Sequence, residues 1–149
     1  MFIFYFFLAW PDCNQLVVTS KACVHLADYV ILIDSSSSIS AKGYENFKNG
    51  LADGIFDLIP HDRSRLAVVQ FSHFHRIEFL FSDDYASWPI LIRNMTQLQG
   101  ITRVAAALEF VRDNIFPQST NTQKHLIYVS DGSVKFSFLK IFFFLFHSK

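Results

Sequence analysis

Three short apolar runs constrain most strongly what this chain can fold into. They occupy residues 29–33, 66–71 and 125–129, and each has the continuous apolar character of a strand that is buried on both faces. Between these runs, apolar residues recur at intervals of three and four, as they do along one face of a helix. Strands that alternate with helices predict an α/β domain with a doubly wound, mostly parallel sheet and helices on both of its faces.

Three segments carry the helical pattern. The first pattern ends at Pro60 and the third stops before Pro117, because proline cannot continue a helix. Residues 75–81 alternate between apolar and charged side chains, which indicates a half-exposed strand at an edge of the sheet. The apolar positions of the helical patterns are Tyr44, Phe47, Leu51, Ile55 and Leu58, then Trp88, Leu91, Met95 and Leu98, then Val104, Leu108, Val111 and Ile115.

An acid and four serines follow directly on the first apolar run. A short loop can turn the carboxylate of Asp34 and the hydroxyls of Ser36 and Ser38, which are spaced by two residues, toward one point. Oxygen ligands of this kind suit a hard divalent cation such as Mg²⁺, Ca²⁺ or Mn²⁺. The alternative is a serine-rich turn that caps the next helix, because serine and aspartate favour both kinds of position.

Two further oxygen-bearing side chains are expected at the same edge of the sheet. Asp131 follows the third apolar run, and the carboxyl ends of parallel strands meet at one edge, where such sheets bind their ligands. Thr102 precedes the third helical pattern, where the chain returns to that edge. Each residue also has a simpler explanation, since Asp-Gly is a common turn pair and threonine often caps a helix.

Three motifs on matching elements resemble those of the von Willebrand factor type A (VWA) domain. In chain order they are Asp34-x-Ser36-x-Ser38, Thr102 and Asp131-Gly132. The resemblance covers about residues 27–133, residues 66–72 look like the second strand of that family, and Gly100-x-Thr102 looks like the entry to its third helix.

This resemblance implies a metal-ion-dependent adhesion site (MIDAS). Ser36, Ser38 and Thr102 would supply hydroxyl ligands, and Asp34 and Asp131 would bind the divalent cation directly or through water. Mg²⁺ is favoured, with Mn²⁺ and Ca²⁺ as alternatives. A vacant coordination position would accept an acidic side chain, so that binding of an extracellular-matrix or cell-surface protein would require the cation.

The two ends of the chain differ in composition from its middle. Of 18 phenylalanines in 149 residues, ten lie within residues 1–7 and 136–146. Residues 1–22 are interpreted as a signal or leader segment, although no basic residue precedes its apolar run. Because members of the VWA family continue beyond the Asp-Gly motif, residues 23–133 are interpreted as a VWA domain that is incomplete at its C terminus. Residues 134–149 are expected to be a phenylalanine-rich tail outside the domain, and their apolar run is too short to span a membrane.

Several weaker features favour secretion. Asn94-Met95-Thr96 is a sequon for N-linked glycosylation. Cys13 and Cys23 would be able to form one disulfide in an oxidising compartment, but cleavage of a leader near Ser20 would remove Cys13. The expected location is therefore extracellular.

Other classes of function have less support. A formal net charge of zero gives no general attraction to nucleic acid or to an anionic membrane. Enzymes that use a strand-end aspartate as a nucleophile need a second acid two residues on, where this chain has Ser36, and no GxxxxGK[ST] or GxSxG motif is present. His73 and His75 would share a face of an extended strand, as a pair of metal ligands would, but the sequence offers no third ligand beside them. We expect a binding module and no enzyme, with an intracellular VWA scaffold or a non-functional fragment as the alternatives.

Overall fold

The structure is a computed structural model that describes residues 27–60, 63–121 and 123–130, together with the backbone of residues 140–147. The described residues include five strands in one sheet, in the order β3–β2–β1–β4–β5. The strands are β1 (Ala27–Asp34), β2 (Ser64–Phe71), β3 (His75–Ser82), β4 (Gln123–Ser130) and β5 (Lys140–His147).

The centre of the sheet is parallel and its edges are antiparallel. Strand β1 lies between β2 and β4 and is parallel to both, so the carboxyl ends of these three strands share one edge. Strand β3 pairs antiparallel with β2 and lies at the edge of the sheet, which confirms the prediction for residues 75–81. The loops that follow β1 and β4 therefore leave the sheet at the edge where ligands bind in folds of this class.

Helices cover both faces of the sheet, as the doubly wound prediction requires. Helices α1 (Ala41–Leu58) and α2 (Trp88–Arg93) pack against one face, and α3 (Val104–Phe110) with its continuation through Ile115 packs against the other. Successive side chains of a strand point to opposite faces, and so Ile31 and Ile33 join the first core while Val30 and Leu32 join the second. This two-sided burial explains the continuous apolar runs of the sequence.

The third helix ends irregularly. Residues Val111–Ile115 form a π-helical turn and Phe116–Gln118 a turn of 3₁₀ helix. Pro117 lacks the backbone N–H that a continued α-helix would use, which explains the stop predicted before this residue. Among the helices of the described residues, none combines the length and the apolar character that crossing a bilayer requires.

Helix α2 is shorter than its apolar pattern predicts. The spacing of Trp88, Leu91, Met95 and Leu98 indicates a helix of about three turns, yet the helix ends at Arg93. Beyond it, the Met95 carbonyl accepts a hydrogen bond from Lys48 Nζ (3.0 Å), and the Leu98 N–H donates to Ser35 Oγ (2.7 Å). These tertiary hydrogen bonds replace the ones that a longer helix would make within itself, so local periodicity is overridden.

The tail differs from the sequence-based expectation over part of its length. Residues 134–149 were expected to lie outside the domain, but Lys140–His147 forms β5 and pairs antiparallel with β4 along its whole length. Pairing of this kind satisfies the N–H and C=O groups along the outer edge of β4, and phenylalanine and isoleucine favour extended backbone. These eight residues thus lie in the described sheet, and the domain boundary at residue 133 stays a prediction.

A buried ion pair ties the sheet together at the end opposite the carboxyl ends of the central strands. Asp28 in β1 is fully buried, and Arg65 in β2 donates to its carboxylate from Nε (2.8 Å) and from a terminal nitrogen (2.6 Å). Asn121 Nδ2 donates to the same carboxylate (2.6 Å), and the Arg65 guanidinium lies 5.5 Å from the ring centroid of Phe81. This hydrogen bonding to Asp28 raises the pKa of Arg65.

Candidate metal centre

The side chain of Asp34 is held in a fixed orientation where β1 ends. It is 2% exposed, its Oδ1 accepts a hydrogen bond from the Ser36 N–H (2.9 Å), and its Oδ2 accepts one from Ser130 Oγ (3.0 Å). No ion pair within the described part of the chain includes Asp34. A buried carboxylate without a cationic neighbour is costly, so this position favours a bound cation.

The four serines after Asp34 divide into two pairs with different roles. Ser36 Oγ and Ser38 Oγ lie 3.0 Å apart, close enough to share one ligand; Ser36 is buried and Ser38 is exposed. Ser35 Oγ and Ser37 Oγ turn the other way and accept hydrogen bonds from the backbone of residues 98 and 100 (2.7 and 2.6 Å). Sequence reasoning missed Ser35 and Ser37, although a serine run with a period of two was a signal for two such sets.

These contacts fasten the β1–α1 loop to the segment of residues 97–100. The Gln99 N–H donates to the Ser35 carbonyl (2.8 Å), and the Ser37 N–H donates to the Gly100 carbonyl (2.8 Å). The amide of Gln97 donates to the carbonyls of Ser36 (3.0 Å) and Ile39 (2.8 Å). The two loops therefore form one hydrogen-bonded unit beside Asp34.

Of the five residues predicted as metal ligands, three are brought together by the structure. Asp34, Ser36 and Ser38 share one loop and contact one another or the same backbone. Thr102 is exposed and follows Gly100 by two residues, on the segment fastened to that loop, but no described hydrogen bond joins its hydroxyl to the other three residues. Asp131 lies outside the described residues; the preceding residue, Ser130, contacts Asp34.

A buried polar network supports the 97–100 segment from behind. Tyr44 Oη donates to Gln70 Oε1 (2.6 Å), and Gln70 Nε2 donates to Glu78 Oε1 (2.5 Å) and to the Thr96 carbonyl (3.2 Å). Arg76 donates to the same Thr96 carbonyl (2.5 Å). Burial raises the pKa of Tyr44, and a hydrogen bond with Ser35 partly opposes that rise, so Tyr44 stays a neutral donor. The network links the serine loop to two strands and to α1.

The two histidines of the β2–β3 turn have separate surroundings. His73 lies against Gly100 and makes an edge contact with the ring of Phe74 (centroids 4.6 Å apart). His75 stacks on Phe110 of α3 (4.7 Å), and burial lowers its pKa. Nothing in the described residues gathers three His, Cys, Asp or Glu side chains around one point. The oxygen donors after β1 are therefore the better candidate for a cation site.

Gly100 is required by the backbone at this site. Its φ is 92°, and a Cβ at this position would lie 2.2 Å from His73 Nδ1. We predict that Gly100→Ala lowers the free energy of unfolding by about 1–3 kcal/mol, because an L residue in this conformation is strained and must also displace His73. Urea denaturation measures the loss.

Two further variants separate the causes. Gly50→Ala in α1, where an added Cβ meets nothing within 4 Å, should instead stabilise the chain by roughly 0.5–1 kcal/mol. Adding His73→Ala to Gly100→Ala should recover the part of the loss that comes from the contact but not the backbone strain. Equal stability of Gly100→Ala and the unsubstituted chain would contradict the left-handed conformation.

The sequence places this geometry in a known family. The sequence model of the von Willebrand factor type A domain matches residues 28–141, most of the chain. The chain belongs to the von Willebrand factor type A domain family. The family match covers β1 from Asp28 onward, all of β2, β3 and β4, and the first two residues of β5.

The relatives of this VWA chain include long proteins. Human vitrin is 31% identical over 128 residues, which is 81% of this chain and 18% of vitrin. The mouse collagen alpha-6(VI) chain is 30% identical over 128 residues, 81% of this chain and 6% of the collagen chain. This VWA chain thus spans less than a fifth of the length of these curated relatives.

Solved structures share the same fold. Proximal thread matrix protein 1 from the mussel byssus superposes with a TM-score of 0.57 at 30% identity, over 74% of this chain and 30% of the mussel chain. A second structure of that mussel protein, with a zinc-occupied MIDAS motif, gives a TM-score of 0.57 at 29% identity over 71% of this chain and 28% of that one. A related VWA domain therefore holds a divalent cation at the corresponding kind of motif.

Proposed function

We propose that this VWA domain is an extracellular protein-binding module whose binding depends on a divalent cation. The observation that supports this most directly is the buried carboxylate of Asp34, which forms no ion pair with any described residue and lies beside the hydroxyls of Ser36 and Ser38. Thr102 and Asp131 complete the proposed ligand set. Mg²⁺ is the favoured ion, with Mn²⁺ and Ca²⁺ as alternatives, because all five side chains offer only oxygen.

The residues of this chain have distinct tasks in the proposed site. Asp34 supplies negative charge at a fixed position, because both of its oxygens are already oriented by hydrogen bonds. Ser35 and Ser37 hold the segment that leads to Thr102, whereas the hydroxyls of Ser36 and Ser38 hydrogen-bond only each other among the described residues and would turn their oxygens to the cation. A bound divalent cation with an open coordination position supplies an electron-poor centre for a carboxylate of the partner.

The proposal favours a binding module over an enzyme. The oxygen ligands are neutral or acidic, and the polar network behind them is buried and serves to position a loop. At this edge Ser72 Oγ lies 3.4 Å from His73 Nδ1, but no hydrogen bond among the described residues joins that imidazole to a carboxylate that would orient it as a general base. Binding of a partner carboxylate through a cation would use both the oxygen ligands and the polar network that positions the loop.

Several features support an extracellular partner and location. The relatives include a collagen chain and a thread matrix protein of the mussel byssus, whose names place them in matrices. Asn94 of the sequon is exposed where α2 ends, so a glycan at this residue would project from the surface. The leader interpretation of residues 1–22 points the same way.

Cation binding can be tested with the metal alone. The purified chain, stripped with EDTA, is titrated with MgCl₂, MnCl₂ and CaCl₂ in a calorimeter. We expect one site per chain and a rise in thermal stability with added cation, since a ligand that binds only the folded state stabilises it by about 2.7 kcal/mol at 100 times its Kd. Absence of heat and of any shift in Tm with all three ions would reject the proposed site.

Location is tested by expressing the complete chain, with its own residues 1–22, in cultured secretory cells. We expect the protein in the medium, and its mobility on a gel should increase after glycosidase treatment. The Asn94→Gln variant should show the same increased mobility without the enzyme. Asn49→Gln, at an exposed asparagine outside any sequon, is the matched control and should leave the mobility shift intact. A product that stays in the cytosol and lacks a glycan would refute the extracellular assignment and favour the intracellular scaffold.

A further inference from the structure

Residues 101–103 are presented to solvent by a segment that is fixed at both ends. Gly100 exchanges hydrogen bonds with Ser37, and the Arg103 N–H donates to the Ser72 carbonyl (3.1 Å). Between these anchors the side chains are exposed, and Ile101 is 62% exposed. A rigid backbone that displays an isoleucine and an arginine beside the candidate metal centre is pre-organised for contact, because little conformational entropy is lost on binding.

Other exposed apolar side chains adjoin this segment. Phe74 is 42% exposed, and its ring touches His73, which in turn lies against Gly100. Val104, the first residue of α3, is 36% exposed. We call the three apolar side chains Phe74, Ile101 and Val104, taken together with Arg103, the apolar rim. Exposed apolar side chains near a polar centre are typical of a protein-binding surface.

Two exposed basic side chains lie near the candidate metal centre. Arg103 and Lys42 lie at the carboxyl ends of the central strands, and neither has an ion-pair partner among the described residues. Asp57 near the end of α1, and Asp83 and Asp84 after β3, are exposed at the opposite end of the sheet. Arg103 and Lys42 therefore place positive charge near the candidate metal centre, while the opposite end carries both these acids and the basic residues Arg63 and Lys124.

From these observations, and resting on the proposed function, we infer that the apolar rim selects one kind of protein partner. This partner presents a segment with two acidic residues and an apolar side chain. One carboxylate goes to the cation, the second pairs with the Arg103 guanidinium, and the apolar side chain covers Ile101. Arginine suits this task because its planar fork binds a carboxylate through two parallel hydrogen bonds. Lys42 adds longer-range attraction for the acidic segment.

The test uses a displayed library of random peptides as the probe. The biotinylated chain, tetramerised on streptavidin, is panned in MgCl₂ and the bound peptides are eluted with EDTA. We expect the eluted peptides to be enriched in sequences with two acidic residues and an aliphatic or aromatic residue. Arg103→Glu should weaken these peptides at least about tenfold at low salt, since close interfacial charge pairs contribute that much or more. Ile101→Ala should weaken them as well.

A matched control separates a local effect from a change in overall charge. Arg112→Glu makes the same charge change on the continuation of α3, where the exposed Arg112 pairs with its neighbour Asp113 and with no other described residue, and it should leave peptide affinity unchanged. If the selected peptides bind the Arg103→Glu and Ile101→Ala variants as tightly as the unsubstituted chain, the rim does not select the partner. Cation-dependent binding would still stand in that case. Failure to recover any peptide that EDTA elutes would overturn the proposed function as well.

Discussion

Replacing Asp34 with asparagine should remove cation binding while leaving the domain folded. The asparagine Oδ1 can still accept the Ser36 N–H, and its amide can donate to Ser130 Oγ, so both hydrogen bonds of the carboxylate have replacements. What is lost is the negative charge. Substituting a residue that only hydrogen-bonds to a metal ligand lowers metal affinity about 10–100-fold. The loss of a charged ligand itself should therefore lower the affinity at least as much. Calorimetric titration with MgCl₂ and MnCl₂ measures the change.

Asp57→Asn is the matched control for this substitution. Asp57 is exposed near the end of α1, far from the carboxyl ends of the central strands, and its replacement makes the same change of charge and shape. We expect its affinity for Mg²⁺ to equal that of the unsubstituted chain. Without added cation, Asp34→Asn should unfold at a temperature close to that of Asp57→Asn. Unchanged cation affinity in Asp34→Asn would show that the ion, if bound, is held elsewhere.

The largest effect on stability is expected at the opposite end of the sheet. Arg65→Met should lower the free energy of unfolding by about 3–5 kcal/mol, because the fully buried carboxylate of Asp28 then loses its counter-charge. Only the amide of Asn121 would remain among its described hydrogen-bond donors. Urea denaturation followed by circular dichroism gives this quantity by linear extrapolation.

An exposed ion pair supplies the control for Arg65. Arg93 bonds Asp53 on the surface, and Arg93→Met should change stability by no more than about 1 kcal/mol, since exposed pairs contribute little. Adding Asp28→Asn to Arg65→Met should recover part of the loss, because the unpaired buried charge is then gone. A loss below 1 kcal/mol in Arg65→Met alone would mean that the pair is not needed to bury Asp28.

The sequence predicted the central elements well because their patterns reflect burial. The runs at 29–33, 66–71 and 125–129 are strands that touch a core on each face, and this burial explains their continuous apolar character. The pattern from Tyr44 gave α1 because one side of that helix faces a sheet. By contrast, Met95 and Leu98 continued a helical pattern without being helical, since side chains from distant elements bond to their backbone.

The sequence predicted only part of the candidate site, because local spacing limits contacts within one loop but not contacts between distant segments. Asp34, Ser36 and Ser38 lie in one short loop, so their spacing alone limits where they can point. The roles of Ser35 and Ser37 depend on residues more than 60 positions away, and no local pattern specifies those contacts. Gln70 was likewise part of an apolar run in the sequence, yet it carries the polar network that supports the neighbouring segment.

The sequence by itself determined the family, the order of the helices and of the first four strands, and the oxygen-only chemistry of the candidate ligands, because each follows from residue type and short-range spacing. Only the tertiary structure decided which serines face the site and which fasten the neighbouring loop. It also decided that α2 ends at Arg93 and that Lys140–His147 pairs with β4. The physical reason is that a backbone hydrogen bond between distant segments depends on how the sheet brings them together, and residue type constrains such a bond only weakly.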